Sequence, residues 1–119
     1  MHPGLIWEIL MINEIRVYYT IPGKLQLLIT RFQNHTLEIW HRFNINHAGF
    51  WTTLIGEDNN ALYYMLVWQS LADREDKWTR FLSDPEWLSV RKKTEAEGPL
   101  VARISSQLLL PTHFPNKNQ

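Results

Sequence analysis

A change of period near the start of the chain constrains its fold more than any other feature. Over residues 12–20 (INEIRVYYT) side chains alternate, with Ile15, Val17 and Tyr19 on one face and Glu14, Arg16 and Tyr18 on the other. A period of two belongs to a strand with two unlike faces. Pro22 and Gly23 break it, and from Leu25 the apolar residues Leu28, Ile29, Phe32, Ile39, Trp40 and Phe43 recur at steps of three and four. That spacing draws one apolar stripe along a helix. Asn44 suits the left-handed residue that ends such a helix.

Residues 47–55 (HAGFWTTLI) and 61–68 (ALYYMLVW) are β-branched and aromatic, and they flank the turn-forming GEDNN at 56–60. Together they predict a hairpin. Ser70, three residues ahead of Asp73, is an N-cap signal in which Asp stands where Glu or Gln is customary. The helix behind it is expected to turn Leu71, Trp78 and Leu82 inward. Ser83-Asp84-Pro85 stops that helix and starts another, because Asp caps and Pro fits a first turn. Gly98-Pro99 ends the second piece, and residues 101–110 (VARISSQLLL) read as a last strand.

The order β α β β α β predicts an α+β fold: a ferredoxin-like, four-stranded antiparallel sheet with helices on one face. In that arrangement the strand at 12–20 is central. Its Glu14, Arg16 and Tyr18 face, joined by Tyr64 and Trp68 from the hairpin, is expected to be the bare one. Such a surface is too apolar to be left wet. It is therefore read as a dimer interface, two sheets face to face forming a dimeric α+β barrel.

Composition sets the outer limits. With 119 residues the chain is one domain. Twelve basic residues balance twelve acidic ones, so the basic footprint of a nucleic-acid binder is missing. The absence of cysteine removes disulfides and thiolate metal sites. Residues 1–10 are read as an N-terminal extension, with Met11 a second plausible start, 11–111 as the domain and 112–119 as a surface tail. No stretch has the pattern of a signal peptide or the length of a membrane span, which makes cytoplasmic the expected location.

Six short motifs, in order, carry a resemblance. They are Glu14-Ile15-Arg16-Val17-Tyr18, Pro22-Gly23-Lys24-Leu25, Phe32-Gln33-Asn34-His35-Thr36, Gly49-Phe50-Trp51-Thr52, Ser70-Leu71-Ala72-Asp73-Arg74-Glu75 and Asp84-Pro85-Glu86-Trp87. With these the chain resembles the NIPSNAP family over nearly all of residues 11–111. Two positions depart from the family pattern: Phe43-Asn44 stands in place of His-Gly, and Tyr64 in place of a histidine on the third strand. The resemblance implies a dimeric α+β barrel of unassigned activity. Barrel relatives include cofactor-free monooxygenases and small isomerases, so no cofactor is expected.

Among candidate residues, His35 matches the family's histidine and lies on the flank of the first helix's apolar stripe. It can serve as a general base or orient a ligand, or simply pack as a half-buried histidine. Trp51, Tyr63 and Trp78 are candidates to line a ligand pocket with His35, although aromatics at such spacing also build cores. Glu14, Arg16 and Tyr18 stand in a row about 7 Å apart, able to hold a polar ligand or to pair across the dimer interface. A metal site is not expected: no His-x-x-x-His or acidic metal loop is present. Two hypotheses follow. One is a homodimer binding a small apolar or aromatic molecule between sheet and helices of each subunit, as an enzyme or otherwise. The other is a non-catalytic homo-oligomeric interaction module with a filled interior.

Overall fold

The computed structural model describes residues 11–115. The expected extension at 1–10 and the last four residues of the expected tail lie outside them, and 112–115 hold no regular structure. Strand β1 spans Ile12–Thr20 and is followed by one helical run in three pieces: α1 (Leu25–Arg31), a π-helical turn (Phe32–Thr36) and α2 (Leu37–Arg42). The hairpin comprises β2 (Asn46–Thr52) and β3 (Ala61–Trp68), and α3 (Leu71–Leu82), α4 (Pro85–Thr94) and β4 (Val101–Leu109) complete the order. The sheet runs β2-β3-β1-β4 with every neighbour antiparallel. This is the ferredoxin-like α+β arrangement expected, with helices on one face.

Local chemistry explains the ends of the helices. Asn44 takes φ 57° after α2, the left-handed stop its amide side chain tolerates. At α3 the Asp73 N–H donates to Ser70 Oγ at 3.0 Å, and Asp73 Oδ2 accepts from the Gln69 N–H at 3.0 Å. The shorter acid thus closes the capping box one residue further out than Glu would. At α4 the Trp87 N–H donates to Asp84 Oδ2 at 3.0 Å, with Pro85 in the first turn.

Which face of the sheet lies inside reverses the expectation. Glu14 faces the helices and is fully buried, beside Tyr64, Leu66 and Trp68, while Arg16 is 7% exposed. Register explains why they move together: Arg16 stands opposite Tyr64 on one side and Ser106 on the other, and Glu14 opposite Leu66 and Leu108. Side chains directly opposite share a face. The five residues expected at the dimer interface, Glu14, Arg16, Tyr18, Tyr64 and Trp68, therefore lie beneath the helices of their own chain. The open face instead carries Ile15, Val17, Tyr63 and Met65.

A second correction concerns α3, where Leu71 and Leu82 are 61% and 49% exposed. The inward stripe is Arg74, Trp78 and Phe81, steps of four and three, and its charged member is held by Glu14. Leu28, Phe32, Ile39, Trp40, Leu66, Trp68, Phe81 and Trp87 form the core between helices and sheet. Among the described residues no helix is long and apolar enough to cross a membrane.

Candidate functional site

Glu14 is the electrostatic centre of the covered face. Its Oε1 accepts from Arg74 Nε and from Trp68 Nε1, both at 2.8 Å. Its Oε2 accepts from Ser106 Oγ at 2.6 Å, Arg16 Nη1 at 3.0 Å and Arg74 Nη2 at 3.1 Å. Burial alone raises a carboxyl pKa, but the donors from Arg74, Ser106, Trp68 and Arg16 outweigh it and bring Glu14 from an ordinary 4.5 to about 2. With both oxygens saturated, Glu14 is an anchor and has no lone pair to offer as a base.

What Glu14 anchors is Arg16. The remaining donors of that guanidinium go to Tyr64 Oη at 2.7 Å and Tyr18 Oη at 3.4 Å. Its central carbon sits 4.7 Å from the centroid of the Trp78 ring, a cation–π distance. Desolvation disfavours this charge, yet the Tyr64 and Tyr18 phenols hold its pKa above the ordinary arginine value.

Beside Arg16 a cavity of about 490 Å³ opens between β1 and β4 on one side and the helices on the other. The volume is in the range of small-molecule sites. Phe32, Trp40, Trp78, Phe81 and Trp87 supply an aromatic wall, and the exposed Arg91 and Pro99 lie at its rim. Trp40 stands 5.4 Å from Phe32 and 6.0 Å from Trp78, centroid to centroid, which ties the wall into the core.

A second guanidinium, Arg31, lines the same cavity at 6% exposure. Its Nη1 donates to Thr94 Oγ1 and to Glu95 Oε2, both at 3.3 Å, and it lies 5.2 Å from the Trp87 ring centroid. Burial pulls its pKa down, with Glu95 and Tyr18 only partly offsetting this; an arginine still stays protonated at neutral pH. The π-helical turn directly follows Arg31. There Leu37 N–H donates to Phe32 O, five residues back, and the Thr36 hydroxyl donates to the Arg31 carbonyl at 3.4 Å. Such turns insert a residue into a helix and recur at functional sites. Here Phe32 and Thr36 face the cavity.

The four residues expected to line one pocket do not converge. Trp78 lines the cavity. His35 is exposed, on a depression of about 130 Å³ shared with Arg31 and Leu100. Trp51 and Tyr63 lie on the open face with Ile15 and Met65, around a depression of about 330 Å³. Two causes separate them. The π-turn displaces His35 from the angle an unbroken α-helix would give it, and Trp51 and Tyr63 are cross-strand partners on the outer side of the hairpin.

Sequence reasoning missed Arg31, Arg74 and Ser106. The first two were detectable: Arg31 falls on the stripe between Leu28 and Phe32, and Arg74 falls in line with Trp78 and Phe81. A charge on an apolar stripe signals a buried partner. Nothing in the sequence pairs Ser106 with Glu14 across 92 positions. No cluster of three or more potential metal ligands occurs among the described residues.

Sheet order, one-sided helices and an interior cavity define a ferredoxin-like α+β protein with room for a small ligand. The NIPSNAP family model matches residues 13–116, and the chain belongs to that family. Its fold is similar to that of an uncharacterized NIPSNAP-like domain protein from Burkholderia xenovorans, at 26% identity and a TM-score of 0.80 over 91% of this chain and 90% of that one. A NIPSNAP family protein from Agrobacterium tumefaciens gives 26% identity and 0.77, over 87% and 95%. A putative antibiotic biosynthesis monooxygenase from Chloroflexus aurantiacus, at 17% identity and 0.55 over 89% and 97%, shares the fold alone. No curated protein matches the chain.

Proposed function

We propose that this protein is a homodimer that binds a small organic molecule in the cavity beneath the sheet of each subunit. The observation that carries the ligand reading is the cavity itself. About 490 Å³ lined by aromatic rings and two buried guanidiniums is not the filled interior that a purely structural module requires. A wall of rings with a few convergent polar groups is the usual composition of a ligand site.

The open face supports the second copy. Ile15, Tyr63 and Met65 have no helix above them, and Trp51 is 53% exposed. On β4, Leu109, which stands opposite Asn13 on this face, is 39% exposed as well. Monomeric proteins rarely leave so continuous an apolar surface uncovered. Pairing two such faces closes the barrel, and Ile15, Val17, Tyr63 and Met65 take the place of the five residues first expected there.

Catalysis, in this reading, would need no cofactor, but it would not run through His35, which lies outside the cavity. The test is native mass spectrometry of the protein as purified, followed by denaturing extraction. A particle of twice the 14.2 kDa chain mass, carrying a small molecule that Trp78→Ala releases, is the expected result. A monomer overturns the dimer. A dimer that carries nothing, and whose melting temperature no member of a library of small aromatic compounds raises, overturns the ligand site.

A further inference from the structure

Two phenols share the guanidinium of Arg16, and they differ in what they can reach. Tyr64 Oη accepts from Arg16 Nε at 2.7 Å, and Tyr64 is fully buried. Tyr18 Oη accepts from Arg16 Nη2 at 3.4 Å, and Tyr18 is half-buried. It stands on the covered face of a central strand, between β3 and β4. It also lines the cavity, which is where a side chain so placed meets open space. A phenol has one proton to donate besides an oxygen that accepts. The oxygen of Tyr18 is engaged by Arg16, whereas its O–H donates to no acceptor among the described residues. Accepting from a cation polarises that O–H and makes it a stronger donor. The other hydroxyl of the wall, on Thr36, already donates to the Arg31 carbonyl. Tyr18 therefore presents to the cavity a proton without an acceptor, on a ring set edge-on to Tyr64 at 5.2 Å between centroids.

Charge narrows the ligand further. Of the two guanidiniums that belong to the buried part of the wall, Arg16 pairs with Glu14 at 3.0 Å and Arg31 with Glu95 at 3.3 Å. The second partners of those carboxylates, Arg74 and Arg91, have side chains 25% and 61% exposed. The surplus charge they bring is therefore met by water. Inside, each guanidinium already has its carboxylate. A ligand carrying a charge of its own would lose its hydration without finding a free counter-ion.

We propose that the molecule bound in this cavity is a neutral aromatic carbonyl compound, a ketone or quinone, whose carbonyl oxygen accepts from the Tyr18 hydroxyl while its ring lies along the aromatic wall at Trp78. This rests on the ligand reading above and adds to it the donor that selects the ligand. A carbonyl fits because it only accepts, and acceptance is what the Tyr18 proton lacks. A hydrocarbon of the same shape fills the same space and leaves that proton unmet. A carboxylate accepts as well, but at the cost of burying an unpaired charge.

Calorimetric titration of the full chain with 2-acetylnaphthalene, 2-isopropenylnaphthalene and 2-naphthoate separates the possibilities, the second probe being the first with a methylene in place of the carbonyl oxygen. The ketone is expected to bind at least about tenfold tighter than either of the others, equivalent to about 1.4 kcal/mol. Tyr18→Phe keeps the ring and is expected to bring the ketone-to-alkene ratio to about one while leaving the alkene's own affinity in place. Should the alkene bind the unaltered protein as tightly as the ketone, the carbonyl ligand is overturned and the cavity stands as a binding site. Should the naphthoate bind more tightly than the ketone, the neutral ligand is overturned. A ratio that survives Tyr18→Phe removes Tyr18 as the donor. Should none of the three bind, the cavity reading falls and this one with it. If Tyr18→Phe fails to fold, a nuclear Overhauser contact between the ketone's methyl group and the Tyr18 ring of the unaltered protein decides the placement, and its absence overturns it.

Discussion

On the covered face of the sheet a carboxylate, a guanidinium and two phenols lie beneath the helices, whereas the open face carries Ile15, Tyr63 and Met65, all partly exposed. Hydrophobicity alone would place the two the other way round. Inside, the charged groups at the strand are hydrogen-bonded: Glu14 accepts five hydrogen bonds, and Arg16 donates to Glu14, Tyr64 and Tyr18. Outside, the apolar residues have no second element of their own chain to pack against. Burial in this protein follows the availability of hydrogen-bonding partners more than apolarity alone.

The contrast breaks first at Glu14. Removing its carboxylate in Glu14→Ala strands Arg16 and Arg74 against each other in a buried setting, and the loss expected is about 3–5 kcal/mol. Urea denaturation measures it; a loss below about 1 kcal/mol would show that the network contributes nothing the helices do not supply. Acid is the gentler form of the same experiment. Because the folded-state pKa of Glu14 is depressed from 4.5 to about 2, its contribution is complete above about pH 4.5 and fades as pH falls toward 2. About 3 kcal/mol of stability should disappear over that interval. Equilibrium unfolding at stepped pH should show the slope, and in Glu14→Gln the part due to this residue should be gone.

Much of the frame was legible because local chemistry sets it. The alternation at 12–20, the Asn44 stop and the Ser70 and Asp84 caps each act within a few residues, and the elements they predict are the ones present. Which face of β1 turns inward was not legible, since it is decided by Arg74 and Ser106, 60 and 92 positions away. Of the pocket residues named from sequence, Trp78 lines the cavity and His35 does not. The π-turn at Phe32–Thr36 accounts for His35, because one added residue shifts everything after Arg31 around the helix axis. Arg31 itself was readable as a charge on an apolar stripe. What it faces depends on α4, which no local pattern links to α1.

The open face is probed more lightly. If a second copy covers it, Met65→Glu places a carboxylate in an apolar contact and should weaken the dimer by about 2 kcal/mol, roughly thirtyfold, with the folded monomer intact by circular dichroism. Sedimentation velocity over a dilution series reads this directly; an unchanged dimer would mean that the contact lies elsewhere.

A smaller and finer probe is Gly49, opposite Met65 in the hairpin. A Cβ there would lie 2.8 Å from Cη2 and Cζ2 of Trp51, whose ring rests across the glycine. The ring is half exposed and can swing away, so Gly49→Ala should cost only about 1 kcal/mol, within the ordinary range for a single substitution. Its effect should fall on the open face, lifting Trp51 off the sheet and loosening the dimer. In a Trp51→Ala background the same substitution meets no ring, and the two changes should be strongly non-additive. A double-mutant cycle on the dimer dissociation constant tests this. If Gly49→Ala costs as much without the indole as with it, the glycine is required by its backbone at φ 158°, and Trp51 is not what keeps that position free of a side chain.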